Sequence, residues 1–371
     1  LKSKKIVLTF GTRPEAIKMA PVVKNLENDF ETVVAVTAQH RDMLDQVLEV
    51  FKISPDYDLN IMTENQSLSQ ITSRVLLGME KVLQKEKPDL ILVHGDTTTT
   101  FASSLAGFYQ KIAVGHVEAG LRTHNKYSPF PEEINRTLTA VLSDLHFAPT
   151  SSARENLLKE GVTSQKIYVT GNTVIDALLM TVEENFEFSP PLDRIDFSKK
   201  VILVTAHRRE NWGDKLRDAF LAMRDLVENF EDIIIIYPVH PNPNVKKCAY
   251  QILGEVPRIF LIDPLGYKDF ANLLARVYLV LTDSGGLQEE APALGKPVLV
   301  MRDTTERPEA VEAGTVKVIG TDRQNVYSET AQLLTNKALY EQMAKAINPY
   351  GDGKASLRIR KALLELFSVK A

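Results

Sequence analysis

Val277-Tyr278-Leu279-Val280-Leu281-Thr282-Asp283-Ser284-Gly285-Gly286-Leu287-Gln288-Glu289-Glu290-Ala291-Pro292 is the stretch that decides how this chain folds. Its first five residues are apolar and strand-like, a paired-glycine turn follows, and a helix opens directly behind it. That is one strand-turn-helix unit of an open α/β sheet. A helix start offers unpaired backbone N–H groups and the positive end of the macrodipole, and two glycines let phosphate oxygens come close to the backbone. Ser284 adds a hydroxyl donor. Glu290, about two turns into the helix, is placed where a carboxylate accepts both hydroxyls of a ribose. The run reads as a cradle for a nucleotide diphosphate. Ser-Gly-Gly in isolation is ordinary turn chemistry, so the weight falls on its companions.

Outward from this unit, short β-branched runs alternate with longer amphipathic stretches. They fall at 6–9, 32–36, 90–93, 113–117, 146–148 and 167–170, and restart after a charged, proline-bearing stretch at 201–205, 233–237, 259–262, 278–281, 298–301 and 316–319. Leu90-Ile91-Leu92-Val93 is apolar without interruption, as in strands covered by helices on both faces. The pattern predicts an α/β protein of two doubly wound, Rossmann-like domains with parallel sheets. The first change of domain is expected between 171 and 176, giving domains at 1–171 and 172–354. A final helix from Ala355 has Ile359, Ala362, Leu363, Leu366 and Phe367 on one buried stripe, and is expected to rejoin the first domain.

The length of 371 residues fits two domains with a core each. A formal net charge of −4 argues against a polyanion-binding surface, so nucleic acid is not an expected partner. The single cysteine, Cys248, has no partner for a disulfide or a thiolate metal site and reads as a small apolar filler. No apolar run approaches the ~20 residues of a membrane span, and Lys2 and Lys5 lead straight into a strand. No membrane association and a cytoplasmic location are expected. None of the seven histidines has the spacing of a zinc helix, so no metal is expected.

Further chemistry sits at other strand ends, where open α/β sheets bind ligands. Gly11-Thr12-Arg13-Pro14-Glu15 follows the first strand without the glycine spacing of a dinucleotide fingerprint, while Arg13 and Lys18 supply cations at a helix start. Pro14 alone would be a helix-start residue with both cations solvated. Asp96 follows the strand at 90–93 and Glu118 the strand at 113–117, with Glu132 and Glu133 soon after in Pro131-Glu132-Glu133-Ile134-Asn135-Arg136. A lone acid is most often solvated or a helix cap. Here the acids have unusual neighbours, His94-Gly95 and His116-Val117. The second half offers His207-Arg208-Arg209 and His240 after its first two strands, and Asp303-Thr304-Thr305-Glu306-Arg307-Pro308-Glu309 after its fifth. These place imidazole and guanidinium donors where a diphosphate would lie.

Taken together, the blocks at 11–21, 38–41, 93–100, 115–123, 127–136, 170–177, 205–211, 281–291, 302–309 and 348–353 make the chain closely resemble the bacterial non-hydrolysing UDP-N-acetylglucosamine 2-epimerases. The resemblance implies a glycosyltransferase-B-like fold with the ligand in a cleft between two Rossmann domains. It implies reversible C2 epimerisation of UDP-N-acetylglucosamine to UDP-N-acetylmannosamine, by elimination of UDP to a 2-acetamidoglucal and re-addition, with no cofactor. Asp96, Glu118 and Glu132 match the family's catalytic acids, and His207 would assist. Arg13, His207, Ser284, Gly285, Gly286 and Glu290 would hold UDP, His240 and Arg307 would line the site, Phe270 would lie near the uracil, and Lys18 matches a basic residue of the site. The partners implied are UDP-N-acetylglucosamine, UDP and a second copy in a homodimer, with a place in cell-wall polysaccharide biosynthesis. In some relatives a second UDP-N-acetylglucosamine binds as activator. Gln39 and His40 match that allosteric site, but Asp42 stands where relatives have Gln and Asn65 where they have Arg. A carboxylate at 42 repels a diphosphate, which weighs against activation of this kind. The rival readings are a hydrolysing epimerase, which releases the free sugar, and a sugar-nucleotide glycosyltransferase of the same fold.

Overall fold

The computed structural model describes residues 4–38, 41–63 and 65–369. Its chain divides into two compact units, the first made of 1–180 and 350–371, the second of 181–349. Each is an α/β unit built on one parallel sheet.

In unit 1 the strands are β1 (Lys5–Phe10), β2 (Glu31–Val36), β3 (Tyr57–Asp58), β4 (Leu90–His94), β5 (Ala113–Val117), β6 (Leu145–Ala148) and β7 (Ile167–Val169). Their spatial order is β3-β2-β1-β4-β5-β6-β7. Every residue of β4 and all but the first of β1 are buried, as the uninterrupted apolar run at 90–93 requires. The core against them includes Val7, Met79, Val82, Ile91, Val93 and Val114. Strand β3 escapes the hydrophobic pattern because it is a two-residue pairing, Tyr57 with Ala35 and Asp58 with Val36, at the sheet edge.

Unit 2 contains β8 (Lys200–Thr205), β9 (Ile233–Pro238), β10 (Ile259–Ile262), β11 (Leu279–Thr282), β12 (Val298–Val300) and β13 (Val316–Val318), in the order β10-β9-β8-β11-β12-β13. Ile202, Val204, Phe220, Ile235, Tyr237, Leu279 and Leu281 belong to its core. Both sheets reverse their strand order once, between β1 and β4 in unit 1 and between β8 and β11 in unit 2. Such switch points open a crevice beyond the carboxyl ends of the strands. Arg13, Asp96, His207 and Ser284 follow those four strands, Glu118 follows β5, and His240 and Arg307 follow β9 and β12.

The division between the units falls later than the expected 171–176. The helix Thr173–Thr181 packs with unit 1 because its start is tied to the returning chain: Asn172 donates its backbone N–H to Tyr350 O at 2.7 Å. Asp176 accepts from the backbone N–H groups of Ala355 and Ser356 and from the Ser356 hydroxyl. The helix Ala355–Val369 then docks on unit 1 with Ile359, Ala362, Leu363 and Phe367 buried, and Arg360 reaches Asp29 at 2.5 Å.

Candidate active site

Unit 1 assembles its polar groups beyond β1, β4 and β5. The turn after β1 is tight: a side chain on Gly11 would meet Thr37 Oγ1 at 2.1 Å, so only glycine fits. Behind it Glu15, almost wholly buried, accepts on Oε2 from the Gly11 and Thr12 backbone N–H groups and the Thr12 hydroxyl. On Oε1 it accepts from the hydroxyls of Thr97, at 2.7 Å, and Thr100, at 3.2 Å. Burial pushes its carboxyl up, against the pull of these hydrogen bonds. One side chain therefore bolts the loop after β1 to the loop after β4. That fixes the helix Arg13–Leu26, which carries Arg13 and Lys18, against the segment that carries Asp96.

Asp96 lies in that second loop and is half-buried, with Arg136 Nη2 at 2.5 Å. Burial raises its carboxyl above the ordinary range, Arg136 pulls it down, and the nearby charge of Glu118 raises it again. Asn135 donates to the Asp96 backbone carbonyl at 3.0 Å. Glu118 follows β5 in a left-handed conformation, φ 63°, which a residue with a Cβ adopts at a cost of about 1–3 kcal/mol. Its Oε2 accepts from Lys18 Nζ and from Asn172 Nδ2 at 2.9 Å, and His94 Nε2 lies 3.9 Å away. His94 itself is buried, and burial lowers it to about 4, so at neutral pH it faces Glu118 uncharged.

Glu132 and Glu133 open the helix Glu132–Leu142 but part company there. Glu133 is buried, accepts from the Thr123 and His124 backbone N–H groups, and lies 3.5 Å from Arg136. Glu132 is half-buried and makes no side-chain hydrogen bond or ion pair among the described residues. The same holds for Arg13. Both are thus available to a ligand.

Unit 2 builds a different kind of site beyond β8 and β11. Asp283, fully buried, accepts on Oδ2 from the backbone N–H groups of His207 and Arg208, each at 2.8 Å, and its Oδ1 lies 3.0 Å from His207 Nδ1. Burial raises its carboxyl, but the His207 and Arg208 contacts outweigh this and hold it below the ordinary range. The carboxylate thereby orients the imidazole with Nε2 left to face a ligand. The His207 ring stacks on that of His240, with centroids 5.4 Å apart, and desolvation with the nearby His207 keeps His240 below its usual value. Ser284 stands at the start of the helix Gly285–Ala293 without capping it through its side chain. A Cβ on Gly285 would lie 3.9 Å from Nη2 of both Arg208 and Arg307, so two guanidinium groups converge on the glycine pair at a helix start. Arg307 is held by Glu289 at 2.5 Å. Glu290 and Phe270 are half-buried on their helices, Gly285–Ala293 and Tyr267–Arg276.

Among the residues expected from sequence, the structure brings Lys18 onto Glu118 and His207 beside His240, and sets Ser284, Gly285 and Arg307 together. Gln39 and His40 lie outside the described residues. The sequence does not single out Glu15, His94, Arg136, Asn172 and Asp283 as site residues. Asp283 carried a signal, a strand-end acid directly before the glycine turn. The chemistry available is a carboxylate pair braced by cations in unit 1, and an anion cradle of helix start, guanidinium and imidazole groups in unit 2. No group of three or more metal-ligating side chains occurs among the described residues, and no helix among them is long and apolar enough to cross a membrane.

A sequence profile for the family described as UDP-N-acetylglucosamine 2-epimerase matches residues 24–364. The UDP-N-acetylglucosamine 2-epimerase of Bacillus subtilis is 57% identical over 366 residues, covering 98% of this chain and 96% of that protein. The crystal structure of UDP-GlcNAc 2-epimerase from Neisseria meningitidis bound to UDP-GlcNAc is similar with a TM-score of 0.86 at 52% identity, covering 97% of this chain and all of that one. A glycotransferase of kitacinnamycin, 10% identical, shares the fold with a TM-score of 0.64 over 98% of each chain. The architecture is thus of the glycosyltransferase-B kind.

Proposed function

Because the chain belongs to the UDP-N-acetylglucosamine 2-epimerases, we propose that it is of the non-hydrolysing kind, interconverting UDP-N-acetylglucosamine and UDP-N-acetylmannosamine by eliminating UDP and adding it back. The C2–H of the sugar has no adjacent carbonyl to acidify it, so simple enolisation is closed. Breaking the C1–O bond lets positive charge grow at the anomeric carbon, acidifies C2–H and leads to a 2-acetamidoglucal. That step needs a carboxylate base at C2 and cationic or helix-end donors on the departing diphosphate. Return of a proton to the opposite face, followed by re-addition of UDP, inverts C2. Acids on both faces of the ring are required.

The observation that carries this reading is the carboxylate pair, Asp96 and Glu118, at the ends of adjacent strands and within electrostatic reach of each other, each braced by its own cation, Arg136 and Lys18. Glu132 is the third acid, unpartnered among the described residues and so available for proton transfer. On the diphosphate, Ser284, Gly285, Gly286, Arg307 and His240 act as donors, with His207 oriented by Asp283. Glu290 takes the ribose, Phe270 the uracil, and Arg13 completes the cationic set. The same reading includes a cytoplasmic homodimer that supplies UDP-N-acetylmannosamine for cell-wall polysaccharide.

The test is conversion of UDP-N-acetylglucosamine in D2O followed by NMR. Deuterium is expected at C2 of both epimers, with UDP still attached. Epimerised product without C2 deuterium would exclude exchangeable proton abstraction, and free N-acetylmannosamine as the main product would select the hydrolysing reading.

A further inference from the structure

Asn172 makes hydrogen bonds that point in different directions. Its backbone N–H donates to Tyr350 O at 2.7 Å, its Oδ1 accepts from the Val174 N–H at 3.1 Å, and its Nδ2 donates to Glu118 Oε2 at 2.9 Å. Asn172 is 4% exposed, and its bond to Glu118 is partly buried. Tyr350 is where the chain re-enters unit 1, and its neighbourhood tolerates little displacement: a Cβ on Gly171 would lie 3.3 Å from both Tyr350 O and Gly351 Cα. The start of the helix Thr173–Thr181, the returning segment and the Glu118 carboxylate therefore meet at one residue.

We infer that Asn172 is a positioning residue for the reaction, holding the Glu118 carboxylate in register through a bond donated to the same oxygen that Lys18 engages. The inference rests on the proposed role of Glu118 in proton transfer. Glu118 stands on left-handed backbone at the end of a strand, so its own main chain does not lie in a deep conformational well. Two donors from different elements, Lys18 of the helix Arg13–Leu26 and Asn172, fix its side chain from opposite sequence directions. Other charged or titratable groups near it include His94 of β4, kept neutral by burial, and Asp96, whose charge Arg136 offsets. A donated hydrogen bond favours the ionised carboxylate, and a like charge in its place disfavours it.

Asn172→Asp tests this directly, because aspartate keeps the oxygen that caps Val174 but turns the donor into a carboxylate facing Glu118. The acid limb of the kcat/KM profile is expected to move up by about one pH unit or more, with kcat near neutral pH falling at least tenfold and the Kd for UDP within about twofold of wild type. Asn172→Ser provides the second arm: its hydroxyl caps a helix start but is too short to reach Glu118, so it should shift the limb in the same direction by less. Circular dichroism melts accompany both, and the serine variant decides should the aspartate variant fail to fold. Profiles and kcat values superimposed on wild type would overturn the assignment and leave Asn172 a helix cap. Wild-type protein that leaves UDP-N-acetylglucosamine unchanged would instead overturn the proposed activity itself.

Discussion

At the scale of single residues, the three acids differ in what surrounds them, and that difference predicts how each variant fails. Asp96 is raised by burial against the pull of Arg136, Glu118 is held by Lys18 and Asn172, and Glu132 is unpartnered among the described residues. Asp96→Asn, Glu118→Gln and Glu132→Gln are nearly isosteric, so each should retain the fold and lower kcat by about 10²–10⁴-fold, the usual worth of a positioned acid or base. UDP affinity by calorimetry should stay within a few-fold of wild type, since the role proposed for the acids is proton transfer rather than binding of the diphosphate. Near-normal turnover in any one of them would remove that residue from the set. Asp96 and Glu118 were legible in the sequence because strand ends are where open sheets place ligands. Glu15 was not, because what makes it important is Thr97 and Thr100, more than eighty positions away. Nor was Asn172, whose meaning depends on a carboxylate 54 positions earlier and a carbonyl far along the returning chain.

At the scale of elements, adjacent strands β4, β5 and β6 each carry a buried histidine: His94, His116 and His146. Burial lowers them to about 4, about 3 and about 4. An unfolded histidine titrates near 6.5, so between that value and about 4 the unfolded chain binds protons that the folded strands refuse. Stability is therefore full above the unfolded value and falls as pH drops through this window, by about 2 kcal/mol per histidine at pH 5. Asp283 in unit 2 has the same sign but acts lower: its contribution is present above the unfolded carboxylate value, near 3.9, and is lost only as pH falls towards its depressed folded value. Native-state hydrogen exchange at pH 7 and pH 5, corrected for intrinsic rates, should show the amides of β4–β6 losing protection while those of β8 and β11 change little. Equal losses in both sheets would rule out the buried histidines as the cause. These strands were readable from apolar β-branched runs, as were the other long ones; β3 was not, since two residues of edge pairing leave no periodicity to detect. The boundary after Met180 was equally hidden, because the helix Thr173–Thr181 is claimed for unit 1 by bonds to Tyr350, Ala355 and Ser356 rather than by its own composition.

At the scale of the whole molecule, each unit has a core of its own, and the chain passes between them twice, at Met180 to Thr181 and at Pro349 to Tyr350. Two independently packed units joined by short crossings are expected to move as bodies unless a large interface prevents it. In the proposed reaction unit 2 supplies the diphosphate cradle and unit 1 the acids with Arg13 and Lys18, so the nucleotide sugar is expected to draw contacts from both. Such a ligand has the differential affinity for a closed state that any population shift requires. Closure also meets a chemical need: the glycal and free UDP must stay together, and water must stay out, until UDP adds back. UDP is therefore expected to lower the radius of gyration in solution scattering and to slow hydrogen exchange in the crossing segments around 180–181 and 349–350. Glu118→Gln should close on UDP as wild type does, because that variant keeps the cradle and alters only a carboxylate proposed for proton transfer. An unchanged radius of gyration together with unchanged exchange in both segments would show that the intermediate is retained by affinity for UDP in an already formed site, and not by movement of one unit on the other.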